Sequence, residues 1–121
     1  MAGNPRILVV DDNRDAAEML AVALAPSGAD LRLAASGLEA LATLEVFAAD
    51  VVFLDISMPG MDGHELARRI RAREDGARLR LIALSGLGDE ATRLLSRAVG
   101  IDIHLVKPVD LEQIETLLAT L

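Results

Sequence analysis

Four short apolar runs in this sequence end on residues that can handle charge. Ile7-Leu8-Val9-Val10 runs into Asp11-Asp12, Val51-Val52-Phe53-Leu54 into Asp55, Leu81-Ile82-Ala83-Leu84 into Ser85, and Leu105-Val106 into Lys107-Pro108. A carboxylate at the exit of a buried strand stands where open α/β sheets place their chemistry. Asp55 is also followed by the Pro/Gly loop Ile56-Ser57-Met58-Pro59-Gly60-Met61-Asp62-Gly63. Brought together, Asp11, Asp12 and Asp55 would crowd three carboxylates, which is costly unless something positive joins them. Mg²⁺ suits the set, because it takes one or two carboxylates, keeps several waters and uses phosphate oxygens as further ligands. Asp55 then reads as a phosphoryl acceptor. A carboxylate can form an acyl phosphate, and such transfer is mostly positioning plus electrostatic stabilisation. Lys107 would hold the phosphoryl group as a point charge. Pro108 would fix the loop, and a cis Lys107-Pro108 bond would aim the ammonium inward. Ser85 heads Ser85-Gly86-Leu87-Gly88-Asp89. Its hydroxyl can bond a phosphoryl oxygen, and the glycines let backbone N–H groups approach an anion.

Each of these residues alone has a plainer reading. Asp11-Asp12 could begin a loop and cap a helix, Asp55 could be a loop aspartate, Lys107-Pro108 a solvated turn, and Ser85 a Ser/Gly turn. Their recurrence at four strand ends favours the chemical reading. Other residues carry less. His64 starts a helix and reads as surface. His104 lies on the opposite face of its strand from Leu105, half buried under the fourth helix. Met58 and Met61 read as packing around the Pro-Gly loop. Arg68, Arg69, Arg71 and Arg73 read as a solvated helix face, offset by Glu65, Glu74 and Asp75.

Elements that alternate along the chain must position these groups. The apolar runs predict strands at Arg6–Val10, Leu31–Ala34, Val51–Leu54, Leu79–Leu84 and His104–Val106. Helical spacing predicts helices over about Arg14–Ala25, Gly37–Phe47, Gly63–Arg73, Glu90–Ala98 and Leu111–Leu121. Ala16, Leu20, Ala23 and Leu24 share a face of the first helix; Ile114, Leu117, Leu118 and Leu121 share one of the last. Ser36-x-x-Glu39 reads as a capping box, with Asp62-x-x-Glu65 and Asp110-x-x-Gln113 as acidic variants. Gly28, Gly76 and Gly100 read as stops after the first, third and fourth helices. Five βα units imply an α/β fold: a parallel sheet with helices on both faces. The first, third, fourth and fifth strands are apolar enough to lie inside, whereas the second alternates and reads as an edge. That fits the doubly wound order 2-1-3-4-5, with its crevice between the first and third strands.

The composition narrows the classes. Residues 1–121 are expected to form a single domain, with 52% hydrophobic content for its core. A net charge of −7 repels DNA phosphates and anionic membranes, so neither nucleic acid nor membrane insertion is expected. With no Trp or Tyr and only two Phe, stacking on bases has little to work with. The absence of Cys excludes disulfide, zinc-thiolate and thiol redox chemistry and fits a cytoplasmic protein. No run reaches membrane-helix length, and no signal peptide is expected.

Val9-Val10-Asp11-Asp12-Asn13, Leu54-Asp55 through Asp62-Gly63, and Leu105-Val106-Lys107-Pro108-Val109, together with Ser85, resemble the receiver domain of two-component response regulators. The resemblance covers almost the whole chain. It implies the flavodoxin-like receiver fold and a phosphorelay role without external small-molecule turnover. It also implies that Asp55 takes its phosphoryl group from a phosphohistidine on a histidine kinase or histidine phosphotransfer protein. Asp12, with Asp11 behind it, would hold Mg²⁺ together with Asp55 and the backbone carbonyl of Ser57. Lys107 would bind the phosphoryl group and Ser85 would turn toward it. The face made by the fourth helix, fifth strand and fifth helix would then change its affinity for a protein partner or a second copy. The chain departs from the pattern at the switch position, where His104 replaces the usual Tyr or Phe, and His can charge near neutral pH. Ser85 stands where Thr is commoner. Ser57 and Leu87 occupy variable positions that affect attack by water. The stretch Gly100–Asp110 looks like receivers fused to hybrid histidine kinases.

Three other readings fit less well. An aspartyl-phosphate phosphatase usually has its nucleophile in the first strand and a second Asp two residues on, where Ser57 stands here. A receiver-like binding module without phosphate would not need the full acid set and Lys107. A flavin binder would need Ser/Thr and Gly where Asp11-Asp12-Asn13-Arg14 is acidic.

Overall fold

The computed structural model describes residues 4–86 and 88–120. Leu87 and Leu121, to which the sequence reading gave roles, lie outside them. Five parallel strands, β1 (Arg6–Val10), β2 (Asp30–Ala34), β3 (Val51–Asp55), β4 (Arg80–Ser85) and β5 (Ile103–Val106), form one sheet in the order β2-β1-β3-β4-β5. Five helices alternate with them: α1 (Arg14–Leu24), α2 (Gly37–Val46), α3 (Gly63–Arg71), α4 (Glu90–Ala98) and α5 (Leu111–Thr120).

Side chains on successive strand residues point to opposite faces, so the continuous apolar runs fill two cores at once. Leu8, Val10, Val52, Leu54, Leu81 and Ala83 face Ala40 and Leu44 of α2 and Leu66, Ala67 and Ile70 of α3. Ile7, Val9, Val51, Phe53, Ile82 and Leu84 face Ala17 and Leu24 of α1 and Ile114 and Leu117 of α5. On α1 the fully buried positions are thus Ala17 and Leu24, with Leu20 packed beside them, whereas Ala16 and Ala23 are only half buried. β5 is half buried along its whole length, although its run reads as apolar enough for the interior: it is the second edge strand.

The helix starts behave as their sequences require. Ser36 Oγ accepts from Glu39 N–H at 3.1 Å, Asp62 Oδ1 from Glu65 N–H at 2.9 Å, and Asp110 Oδ1 from Gln113 N–H at 2.7 Å. α1 is capped by Asn13, whose Oδ1 accepts from Ala16 N–H at 3.0 Å. Neither Asp11 nor Asp12 is its cap. The helix ends differ from expectation by a residue or two. Pro26 follows α1 inside a 3₁₀ turn at Ala25–Ser27, and α3 stops at Arg71 before a second such turn at Gly76–Arg78. Gly28 and Gly100 adopt positive φ as stop signals do; Gly76 does not. It is needed for room, because a Cβ there would lie 2.1 Å from the Ile70 carbonyl oxygen.

Two of the four arginines read as a solvated face are structural. Arg71 reaches back and donates to the carbonyl oxygens of Gly76, Leu79 and Gly100 and to Asp102 Oδ2, at 2.6–2.9 Å. Arg73 pairs with Glu45 and Asp75 and donates to the Leu44 carbonyl. Arg68 and Arg69 are the exposed pair, both joined to Glu65.

Candidate functional site

The strand register brings the four chemically equipped ends together. Val10 pairs with Leu54, and Asp55 with Leu84, so Asp11, Asp55 and Ser85 follow one another across β1, β3 and β4. Lys107 N–H donates to the Ser85 carbonyl at 2.8 Å, which pins the residue after β5 beside them. The Lys107–Pro108 peptide is cis.

Asp11 and Asp55 are 4% and 5% exposed, whereas Asp12 faces solvent. Each of the three offers a carboxylate oxygen, and these oxygens all lie within 4.8 Å of one another. Lys107 Nζ lies 3.5 Å from Asp55 Oδ1 and 3.6 Å from Asp11 Oδ2. Two backbone N–H groups orient the acids: Asn13 donates to Asp11 Oδ1 at 2.9 Å and Ser57 to Asp55 Oδ1 at 3.1 Å. Burial raises the Asp55 pKa above its ordinary value; the Ser57 N–H and Lys107 oppose that, and Asp11 adds to it. Crowded, desolvated carboxylates are costly to keep charged, and a cation relieves that cost.

The floor of the site is closed by α3. Gly63 N–H donates to the Ile56 carbonyl at 3.0 Å, and a Cβ at Gly63 would lie 2.5 Å from the Asp55 carbonyl oxygen. Only glycine lets the first turn of α3 approach the end of β3 this closely. Ser85 is fully buried at the end of β4. Met58 is buried and Met61 packs against the same apolar cluster, as their positions beside the Pro-Gly loop suggested.

Sequence reasoning missed Ser96. It is 1% exposed in the middle of α4, and its Oγ lies 2.8 Å from His64 Nε2 and 2.9 Å from His104 Nδ1. His64 is therefore not a plain surface residue: burial lowers its pKa below the ordinary imidazole value, against the pull of Asp62. His104 lies half buried under α4, as its place in the strand indicated. No pattern in Leu94-Leu95-Ser96 marks the serine as the buried member; only a pairing of two distant histidines would have drawn attention to it.

The fold and the acidic cleft define the class. Residues 7–119 match the response regulator receiver domain model, and the chain belongs to that family. Receiver domains of two-component response regulators are phosphorylated on an aspartate, partner with histidine kinases and bind Mg²⁺ at the acidic site. Among curated relatives, an uncharacterized 14.6 kDa protein in the sodA1 3′ region of Leptolyngbya boryana is 38% identical over 104 residues, covering 86% of this chain and 79% of the relative. The DNA-binding dual master transcriptional regulator RpaA of a Synechocystis strain is 29% identical, over 90% of this chain but only 45% of its own length. The chain likewise spans about half, 46–47%, of further curated relatives. Among solved structures, the receiver domain of the sensor histidine kinase PA1611 of Pseudomonas aeruginosa is 28% identical with a TM-score of 0.88, over 98% of this chain and 97% of that one. It is described with a magnesium ion coordinated in the active site cleft. Among the described residues, no helix is long and apolar enough to cross a membrane.

Proposed function

We propose that this chain is a phosphorelay receiver whose acceptor is Asp55, and that its chemistry needs Mg²⁺. The observation that carries the reading is one buried carboxylate, Asp55, facing the ammonium of Lys107 at 3.5 Å, while two further acids bring their oxygens within 4.8 Å. The donor set fits Mg²⁺: hard carboxylate oxygens from three acids, one of which, Asp12, faces solvent. Asp11, Asp12, Asp55 and the backbone carbonyl of Ser57 would hold it. Once bound, the ion supplies charge neutralisation for the phosphoryl oxygens.

The chain's own residues do the rest. The Ser57 N–H holds the Asp55 carboxylate in place, and Lys107 lowers the cost of bringing a phosphoryl dianion beside it. An Asp55 oxygen bonds to phosphorus as the phosphorus–nitrogen bond of a partner's phosphohistidine breaks. The electron pair leaves with the imidazole nitrogen, which takes up a proton, and Asp55 becomes an acyl phosphate. Ser85, buried at the end of β4 beside the acceptor's strand, would donate to a phosphoryl oxygen. Water later attacks phosphorus, the Asp55 oxygen–phosphorus bond breaks, inorganic phosphate leaves and the carboxylate is restored. No external small molecule is turned over, so the chain is a signalling acceptor and not an enzyme in the usual sense. A histidine-phosphorylated partner of this kind, a kinase or a phosphotransfer protein, would put this chemistry in the cytoplasm. Output passes through α4, β5 and α5 to a protein partner or a second copy, with His104 at the switch position. The −7 charge argues against nucleic acid binding by these 121 residues themselves; one relative of about twice the length is named as DNA-binding.

Intact mass after incubation with acetyl phosphate and Mg²⁺ tests the reading. A gain of one phosphoryl group, absent in Asp55→Asn and absent without Mg²⁺, supports it. Full labelling of Asp55→Asn sinks the acceptor assignment, and labelling that ignores Mg²⁺ sinks the metal's part.

A further inference from the structure

Three side chains outside the acidic cleft form one hydrogen-bonded line across three elements. His64 stands in the first turn of α3, Ser96 in the middle of α4 and His104 in β5, with Ser96 Oγ 2.8 Å and 2.9 Å from the two rings. Ser96 is the buried residue of α4, while its neighbours Leu94 and Leu95 are 55% and 49% exposed. A helix that buries a hydroxyl while two neighbouring leucines stay about half exposed is seated there by more than apolar packing. The hydroxyl must be satisfied to repay its desolvation, and the two imidazoles satisfy it.

The proton count of this line is limited. A serine hydroxyl has one proton to donate and can accept from two partners. Between two neutral imidazoles it donates to one and accepts from the other, so the line has a direction. A proton added to His64 fixes that direction: the His64 N–H donates to Ser96, and the Ser96 O–H donates to His104 Nδ1. A proton added to His104 reverses it. With both rings charged, both N–H groups point at one oxygen, the hydroxyl proton loses its place in the line, and two like charges face each other across it. Among the charged groups acting on the pair, Asp62 at the start of α3 favours the proton on His64, and so the direction in which His64 donates to Ser96 and Ser96 to His104 Nδ1; Asp89 at the start of α4 interacts with His104, and each imidazole acts on the other.

We infer that His64 and Ser96 are positioning residues for His104: they hold its ring in one tautomer beneath α4, and that hold lapses when both imidazoles are charged. Its signalling consequence rests on the reading of β5 and α4 as the output face. α3 follows directly on the loop that carries Asp55, so the line ties the output elements to the acceptor end of the sheet, and protonation loosens the tie.

The test uses the whole unphosphorylated chain, so it stands whether or not Asp55 proves to be the acceptor. Imidazole ¹⁵N shifts and the hydrogen exchange of α4 amides are followed from about pH 8 to about pH 5, a span that brackets ordinary imidazole titration. The wild type is expected to hold His104 in one tautomer at the upper end and to lose α4 protection on acidification. Ser96→Ala and His64→Ala are expected to mix the two tautomers at the upper end of that range, where the rings are neutral. His64→Gln keeps an amide that reaches Ser96 but does not titrate, so it should restore the single tautomer and remove the acid response. A His104 tautomer unchanged in Ser96→Ala, or a wild-type acid response in His64→Gln, overturns the inference. Should Ser96→Ala fail to fold, the two His64 variants decide alone.

Discussion

Lys107 is the only lysine in the sequence, and among the described residues it is the one cation paired with both buried acids. At 3.5 and 3.6 Å from Asp55 and Asp11 it is shared between them, and its side chain is 37% exposed, so its attraction to either is screened. Such a charge is held loosely enough to follow a phosphoryl oxygen once one arrives. Lys107→Ala is expected to slow labelling by acetyl phosphate roughly 100-fold, the usual cost of one electrostatic donor. Lys107→Arg should recover only part of that rate, since a planar fork does not replace a compact ammonium. Labelling time courses of the three proteins check both statements; equal rates in Lys107→Ala would remove Lys107 from the chemistry. Asp55 makes a second prediction at this scale. Its folded pKa lies above the unfolded value of 3.8, chiefly through burial. The folded state therefore holds its proton more tightly, and this contribution to stability is present at low pH and lost as pH rises through the folded pKa. Without Mg²⁺, Asp55→Asn should be more stable than wild type near pH 7, by roughly 1–3 kcal/mol, because desolvation and Asp11 outweigh the pull of Lys107 and the Ser57 N–H on the charged form, with the gap closing in acid. Urea midpoints at several pH values measure it, and a gap that widens in acid would contradict the sign.

The approach of α3 to β3 controls how Asp55 is held. Gly63 places the first turn of α3 against the Asp55 and Ile56 backbone, where a Cβ would be 2.5 Å from one carbonyl oxygen and 2.8 Å from the next Cα. Backbone does not yield as a flexible side chain does, so Gly63→Ala should cost about 1–3 kcal/mol as overpacking. It should also slow labelling, because the turn that bears the Ser57 N–H must shift. Gly60→Ala makes a control of another kind: it has open space but a φ of 73°, so it strains the loop without a clash. Thermal melts and labelling rates for both variants separate the two effects. The elements themselves were legible because each carries its own local signal. Continuous apolar runs marked strands buried on both faces, and Ser36, Asp62 and Asp110 marked helix starts that hydrogen-bond as such residues should. The acid cluster was legible for the same reason, since strand ends are local. What could not be read was anything decided by a distant partner. Arg71 looked like one of four equivalent arginines, yet it satisfies three carbonyl oxygens, including that of Gly100, 29 residues away. Ser96, between Leu95 and Arg97, carries no signal of its own in the sequence and is the buried link between two histidines. Such roles depend on helix placement, which periodicity does not give.

Across the whole molecule, charge is unevenly settled. Among the described residues, arginines pair with acids away from the cleft: Arg14 with Glu18, Arg32 with Asp30, Arg68 and Arg69 with Glu65, Arg71 with Asp102, and Arg73 with Glu45 and Asp75. Most are exposed pairs worth little each, yet they leave the acids at the strand ends with Lys107 as their partner cation. The net charge of −7 adds to the strain of keeping Asp11, Asp12 and Asp55 together. A divalent ion bound to the folded state alone stabilises it by mass action, by about 2.7 kcal/mol at one hundred times its dissociation constant. For a chain of this size that raises the melting temperature by several degrees. Sodium chloride at the same ionic strength only screens, and should give a smaller rise. The Asp11→Asn, Asp12→Asn double variant keeps the shape of the cleft but removes two carboxylates, so its melting temperature without Mg²⁺ should equal or exceed that of wild type, while its response to Mg²⁺ should fall to the sodium level. Melts of both proteins in the two salts decide the matter. A wild-type shift no larger in Mg²⁺ than in matched sodium, or an undiminished shift in the double variant, would place the ion elsewhere on this acidic surface and take it out of the chemistry of Asp55.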